Sequence, residues 1–344
     1  MSTTRELPTA IPDPSRFTFL KALQRASGRV PLWLATSAVV SLLALVAALP
    51  WLGFLRDALD HRYLPGSLLQ ALDGDFLFDR RASRGALEGA TAGTGAVLAL
   101  LALLFGVFSA GGWLQVLLER SDGHSLRRFF YGGSRFFFRF LRVLVLTVLS
   151  LQLASWVIYG LPWDVLVEDL WLGISDTEQL TSELTARQLV LAQDGLFLLA
   201  TLAILLWGDY TRARIALHDG VSALWAGACA WTTLLRHPVR TLRPHLLLGG
   251  FEALAIVIAW QWTGFFESRI ASPASWIPVA ALLVLGQLLL CWRSIVRGAR
   301  YAAAVEISAE LIRPPRRPDP WKDTVGGPGG PQYPIGGDEY TVSL

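Results

Sequence analysis

Lysine is almost missing from this chain. Its 344 residues include two, Lys21 and Lys322, and the other 28 basic residues are arginine. We read this bias as genomic base composition and attach no mechanism to it. Charge of either sign is scarce. Charged residues make up 17%, against about 25% in an ordinary soluble domain. The two cysteines, Cys229 and Cys291, fall outside the segments expected to be extracytoplasmic. A structural disulfide is therefore not expected, and both read as small buried apolar side chains.

Reaction signatures are also missing. The five histidines, His61, His124, His218, His237 and His245, show no zinc spacing, and no HExxH occurs. There is no phosphate-binding P-loop, no GxSxG and no GxGxxG, and serines within the apolar runs have no evident base partner. The expectation is a chain that is not an enzyme and holds no cofactor or metal.

Long apolar stretches are abundant instead. Hydrophobic residues make up 53% and the mean hydropathy is +0.45. Six runs, at about 31–55, 93–118, 140–161, 189–208, 245–266 and 276–295, each approach or exceed the roughly 20 helical residues that cross a hydrocarbon layer. The predicted fold is all-α: a polytopic transmembrane bundle of six spans occupying 14–312. Residues 1–13 and the Pro/Gly-rich tail 313–344 are expected to be disordered, since such composition cannot bury enough apolar surface to fold.

Arginine position gives the orientation. Segments 1–30, 119–142, 209–244 and 293–344 hold 23 of the 30 basic residues. Basic residues stay cytoplasmic during insertion, so both termini are expected inside a cell inner membrane. Segment 162–188 is acidic, with Asp164, Glu168, Asp169, Asp176, Glu178 and Glu183 against Arg187, and is expected outside. Topology thus accounts for the net charge of +3, and nucleic acid is not an expected partner. The N-terminal segment is polar and the first run is too long for a cleaved signal, so that run reads as an uncleaved anchor.

The predicted cytoplasmic joints resemble one another. Asp122-Gly123-His124-Ser125 follows run two, and Asp219-Gly220-Val221-Ser222 follows run four. Each leads into an amphipathic, arginine-bearing stretch, and 14–30 offers a third copy. The pattern suggests three tandem units of elbow helix plus hairpin, 14–118, 122–208 and 219–295, related by an axis along the membrane normal. The elbow at 125–142 interleaves seven aromatics with five arginines, which suits a helix lying in the inner interface. Arg127, Arg128, Arg135, Arg139, Arg236 and Arg240 are the candidate contacts to anionic lipid headgroups or to an unidentified protein partner. In run two, Gly106 and Ala110 form a small-xxx-small pair suited to packing within the chain. Pro50 should kink or stop span one.

Polar groups at membrane depth are the remaining candidates, since an ionised side chain near the bilayer centre costs about 3 kcal/mol on insertion scales. Glu252 lies about two turns into run five, and Arg142, Arg212 or Arg293 could pair with it. Asp194 lies just over one turn into run four from its outer side. Asp209, Arg212 and Arg214 read as an interfacial ion-pair set. Glu252, Asp194, Arg142 and Arg293 form the candidate intramembrane polar site.

With Gly111-Gly112, the basic aromatic elbows and the His237-Pro238 joint, residues 14–310 resemble the YciC-like inner-membrane family and the membrane domain attached to some glycerophosphodiester phosphodiesterases. The resemblance implies an integral membrane module with no known catalytic residues to carry over. The 56–92 segment and the tail are not part of that pattern. The functional expectation is a non-enzymatic accessory or scaffold in envelope or lipid homeostasis. The alternative is a small-solute or lipid transporter using Glu252 and Asp194.

Overall fold

The computed structural model describes residues 18–59, 81–119, 124–173, 183–270 and 276–311. The expectations of loose ends at 1–13 and 313–344 lie outside these residues. The described elements are all helical, and no strand occurs among them. In chain order they are α1 (Thr18–Ser27), α2 (Val30–Leu59), α3 (Arg81–Leu118), α4 (Ser125–Tyr159), a single turn α5 (Leu161–Trp163) that runs into a π-helical stretch (Asp164–Leu172), α6 (Glu183–His218), α7 (Ala223–Arg236), α8 (Pro238–Ile270) and α9 (Trp276–Leu311). Six of these, α2, α3, α4, α6, α8 and α9, are long and apolar enough to cross a membrane. The chain is an all-α polytopic bundle.

The long helices overshoot a bilayer. α6 and α9 have 36 residues each, so each is about 54 Å long at 1.5 Å per residue. A hydrocarbon layer takes up about 30 Å of that. The excess is packed at one end, where α1, α7, the start of α4 and the last turns of α9 gather. We call this the elbow end. Its core comprises Trp113 and Leu114 of α3, Phe129, Phe136 and Phe140 of α4, Tyr210 and Ile215 of α6, Ala226 and Ala230 of α7, and Val296, Ala299, Tyr301 and Ile307 of α9. Toward the far end the helices splay, and their leucines and valines remain exposed, as with Leu45, Leu100, Leu153, Leu199 and Leu283. In lipid such a surface needs no cover, because the solvent is itself apolar.

α9 is the hub. It packs against α1, α2, α3, α6 and α8. Ser294 joins it to α2 through the hydroxyls of Thr36 (3.0 Å) and Ser37 (3.2 Å), and the Ser41 hydroxyl donates to Gln287 one level farther out at 2.6 Å. Gly298 lets the Trp113 ring of α3 lie flush: a β-carbon there would come within 2.8 Å of it. The Arg25–Glu306 pair ties α1 to the end of α9.

One expectation is corrected. The 125–142 elbow is not a separate helix lying in an interface. It forms the first half of an unbroken α4, and its Phe129, Phe136 and Phe140 are buried in protein. The reason is local. α1 ends before Gly28 and the lead-in to Pro31, and α7 ends at His237 before Pro238. Those breakers interrupt the helix. Segment 125–142 contains no proline, and its glycine pair is absorbed in a helix crossing. Of the two outcomes expected at Pro50, a kink or a stop, the stop does not occur: α2 continues to Leu59. Membrane helices tolerate an internal proline because neighbouring groups re-satisfy the freed carbonyl.

Candidate functional site

Three arginines of α9 recur at i, i+4 and i+7, a spacing that sets Arg293, Arg297 and Arg300 on one helix face. Two of them hold Glu252 of α8. Arg293 Nε donates to one carboxylate oxygen at 3.2 Å, and Arg300 Nη2 to the other at 2.6 Å. Glu252 is 16% exposed, so the acid is largely withdrawn from solvent, whereas Arg293 at 59% reaches outward. Glu252 thus has a guanidinium partner on each carboxylate oxygen.

Arg297 lies between these two partners along α9 and has neutral ones. Its Nε donates to the Tyr301 hydroxyl at 3.4 Å, and its Nη2 to the Gly106 carbonyl of α3 at 3.5 Å. Both contacts are at the long limit of a hydrogen bond. The carboxylates of Asp209 and Glu252 are close enough to act on it electrostatically, but each is bonded elsewhere. Asp209 pairs with Arg212 at 3.1 Å. Four guanidinium groups therefore share this level with two carboxylates. Arg297 is exposed.

α6 and α8 both pack on α9. They touch near their elbow ends, where the Tyr210 hydroxyl donates to the Thr241 carbonyl at 3.2 Å and its ring lies 5.4 Å from the His245 ring. The two helices do not pack along the rest of their length. Arg212 Nε and Arg300 Nε are buried without a hydrogen-bond partner among the described residues.

The other candidates fall elsewhere. Arg142 does not reach Glu252; its Nη1 approaches the Val221 carbonyl at 3.5 Å. Asp194 accepts from the Tyr159 hydroxyl at 2.8 Å, and Gln193 donates to the Ile158 carbonyl at 2.6 Å, so this pair ties the far ends of α4 and α6. Asp194 and Glu252 thus fasten different helix pairs and are not brought together.

Of the elbow arginines, Arg128 is corrected. At 1% exposure it is inside the protein, 3.1 Å from Glu119, and Glu119 also accepts from Gln115. A headgroup could not reach it. Arg135 and Arg139 both bind Asp219, the former at 2.8 Å, and so join α4 to the turn before α7. Arg240 pairs with Glu310. Arg127 and Arg236 are exposed. A cavity of about 440 Å³ between α1 and the end of α3 is lined by Arg25, Arg29 and Glu119 among others, but Arg25 and Glu119 are committed to Glu306 and Arg128.

Sequence reasoning missed Arg297, Arg300 and Glu119. The first two carry a legible signal, the i, i+4, i+7 spacing that begins at Arg293. Glu119 carries none, since it sits at the end of an apolar run like any interfacial acid. No three metal-ligating side chains cluster among the described residues. Comparison with protein-family models, curated proteins and solved structures finds no match to this chain.

Proposed function

We propose that this protein is a non-enzymatic accessory or scaffold module of a cell inner membrane, working in envelope or lipid homeostasis. The elbow end faces the cytoplasm in this reading, because the arginine-rich joints gather there and basic segments resist translocation. The observation that carries the reading is the state of Glu252. A carboxylate clamped by two guanidinium groups is a fastening between α8 and α9. A proton or solute carrier would need to release that carboxylate in each cycle. The same holds for Asp194, engaged by Tyr159.

The elbow layer has surface to offer a partner. Phe138, Trp225, Leu235 and Val239 are 71–75% exposed, and aromatics of this kind suit either an interface or a docking face. α1 and α7 as separate lead-in helices, each followed by a proline-bearing joint, support descent of the hairpins from one repeated unit. The test is purification of the full chain from its native membrane in mild detergent. One stoichiometric protein partner is expected, and Phe138→Ser should release it while leaving thermal stability unchanged. Recovery of a partner-free monomer under conditions that keep known membrane complexes intact would overturn the accessory role.

A further inference from the structure

We propose that α7 is an in-plane membrane helix, whose outward face of Leu224, Trp225, Trp231 and Leu235 is seated in the acyl boundary of the leaflet at the elbow end. The inference rests on the membrane-module reading but not on the accessory role. It assigns the α7 face to lipid and leaves Phe138 of α4 as the docking residue for a protein partner.

The argument begins with composition. No charged residue occurs from Gly220 through Leu235. Helical spacing divides α7 into two apolar faces. Ala223, Ala226, Gly227, Ala230 and Leu234 are buried, and the helix packs mainly on α6. Leu224, Trp225, Trp231 and Leu235 are exposed. A helix at the surface of a soluble body carries polar residues on its second face. Within α7 only Thr232 and Thr233 bear hydroxyls, and both donate to the Cys229 carbonyl, at 2.8 and 2.9 Å. The Ser222 hydroxyl accepts from the Trp225 N–H, and the His237 N–H donates to the Thr233 carbonyl. Side-chain and terminal polar groups satisfied within the segment are what a hydrocarbon boundary requires.

Depth comes from Trp207 of α6. It ends a stretch, 195–208, without charge, and Asp209 is the next residue toward the elbow end. Trp207 Nε1 donates to the Gly227 carbonyl at 2.8 Å, and its ring stacks on that of Trp231 at 6.2 Å. A β-carbon on Gly227 would come within 2.7 Å of the same ring. The middle of α7 thus rests on the apolar stretch of α6. With 14 residues it is about 21 Å long, too short to cross a layer of about 30 Å. It also joins α6 to α8 at one end of the bundle, where Tyr210 bonds Thr241, so it lies along the boundary.

Charge brackets the helix on both sides. Asp219, held by Arg135 and Arg139, precedes it, and exposed Arg236 and Arg243 follow it. Leucine and tryptophan on one face with arginine beside them suit acyl chains below anionic headgroups.

The experiment uses the full chain in nanodiscs of phosphatidylglycerol and phosphatidylcholine, with Cys229→Ala and Cys291→Ala as background. Leu224→Cys, Leu235→Cys, Leu283→Cys and His124→Cys are made singly and given a nitroxide label. Accessibility to oxygen, which concentrates among acyl chains, is compared with accessibility to a water-soluble nickel chelate. Leu283, exposed on the far half of α9, is the lipid reference. His124 is exposed and eleven residues before Arg135, about 16 Å farther along the elbow end, and is the water reference. Labels at 224 and 235 should favour oxygen and lie about 5–10 Å below the headgroups. Nickel access equal to that at position 124 puts the face in water and overturns the inference. Low access to both reagents means that a second copy covers the face, and overturns it equally. Nickel access at position 283 as well overturns the membrane module and the inference with it. If Leu224→Cys does not fold, Ala228→Cys, a smaller change at an exposed position of the same helix, gives the same reading.

Discussion

Gly111 and Gly132 meet backbone to backbone. A β-carbon on Gly111 would lie 2.7 Å from the Gly132 carbonyl oxygen and 3.2 Å from the Gly133 α-carbon. Two glycine pairs, Gly111-Gly112 on α3 and Gly132-Gly133 on α4, therefore form one crossing, and Phe108 and Phe129 fill the space on either side of it. Small residues allow such approach in membrane bundles, where dispersion and close contact replace the hydrophobic effect between helices.

Gly111→Val should destabilise the protein by about 1–3 kcal/mol, the range for overpacking against atoms that cannot yield. Gly95→Ala, on the same helix with nothing near its would-be β-carbon, should be neutral or stabilising by up to about 1 kcal/mol. Thermal melts of the two variants in one detergent check the contrast. Equal stability would contradict the crossing.

Glu252→Gln removes the clamp between α8 and α9. Arg293 and Arg300 are each partly open to solvent, so the expected loss is about 1–2 kcal/mol, between exposed and buried pairs. The loss should shrink when Arg293 and Arg300 are also replaced by Gln, because the orphaned guanidinium groups are then gone. A variant of full stability that abolishes a measured solute flux would favour the transport reading instead.

Arg128 and Glu119 are the most deeply buried ion pair among the described residues. Either Glu119→Gln or Arg128→Met alone should cost about 3–5 kcal/mol, since each leaves a charge or polar group stranded. The double variant should recover most of that loss. Expression level and melting temperature report both effects.

His124 holds a left-handed backbone at φ 50, directly before α4, with no side-chain cap. Any residue with a β-carbon is strained there by about 1 kcal/mol, and glycine is not. His124→Gly should raise stability by about that amount. A fall in melting temperature would indicate that the imidazole makes a contact that outweighs the strain.

The spans were legible because a bilayer demands long apolar helices, and six runs of that kind leave few alternatives. Glu252 was legible as an acid in an apolar stretch, and Arg293 as one of three candidate partners. The continuity of α4 was harder to see. Basic aromatic stretches look alike whether they lie in an interface or stand in a core, and what separates 125–142 from the other elbows is a missing proline. Arg297 and Arg300 hid for a related reason. Arginines after the last span read as positive-inside topology, and their placement on one face with Glu252 depends on how far α9 continues as a helix. The Gly111–Gly132 crossing depended on pairing two glycine doublets from different helices, which no single-strand pattern specifies.

The hub position of α9 sets an order of assembly. The Thr36–Ser294 bond spans 258 residues of chain, and α9 is synthesised after every helix it joins. α2 and α8 share no extensive contact with each other and so depend on α9 to be held in one body. During translation α2, α3, α4 and α6 can pack on one another, through the Gly111–Gly132 crossing among other contacts, whereas α8 has no extensive partner until the α9 stretch emerges, and it is exposed to competing partners and quality-control proteases until then.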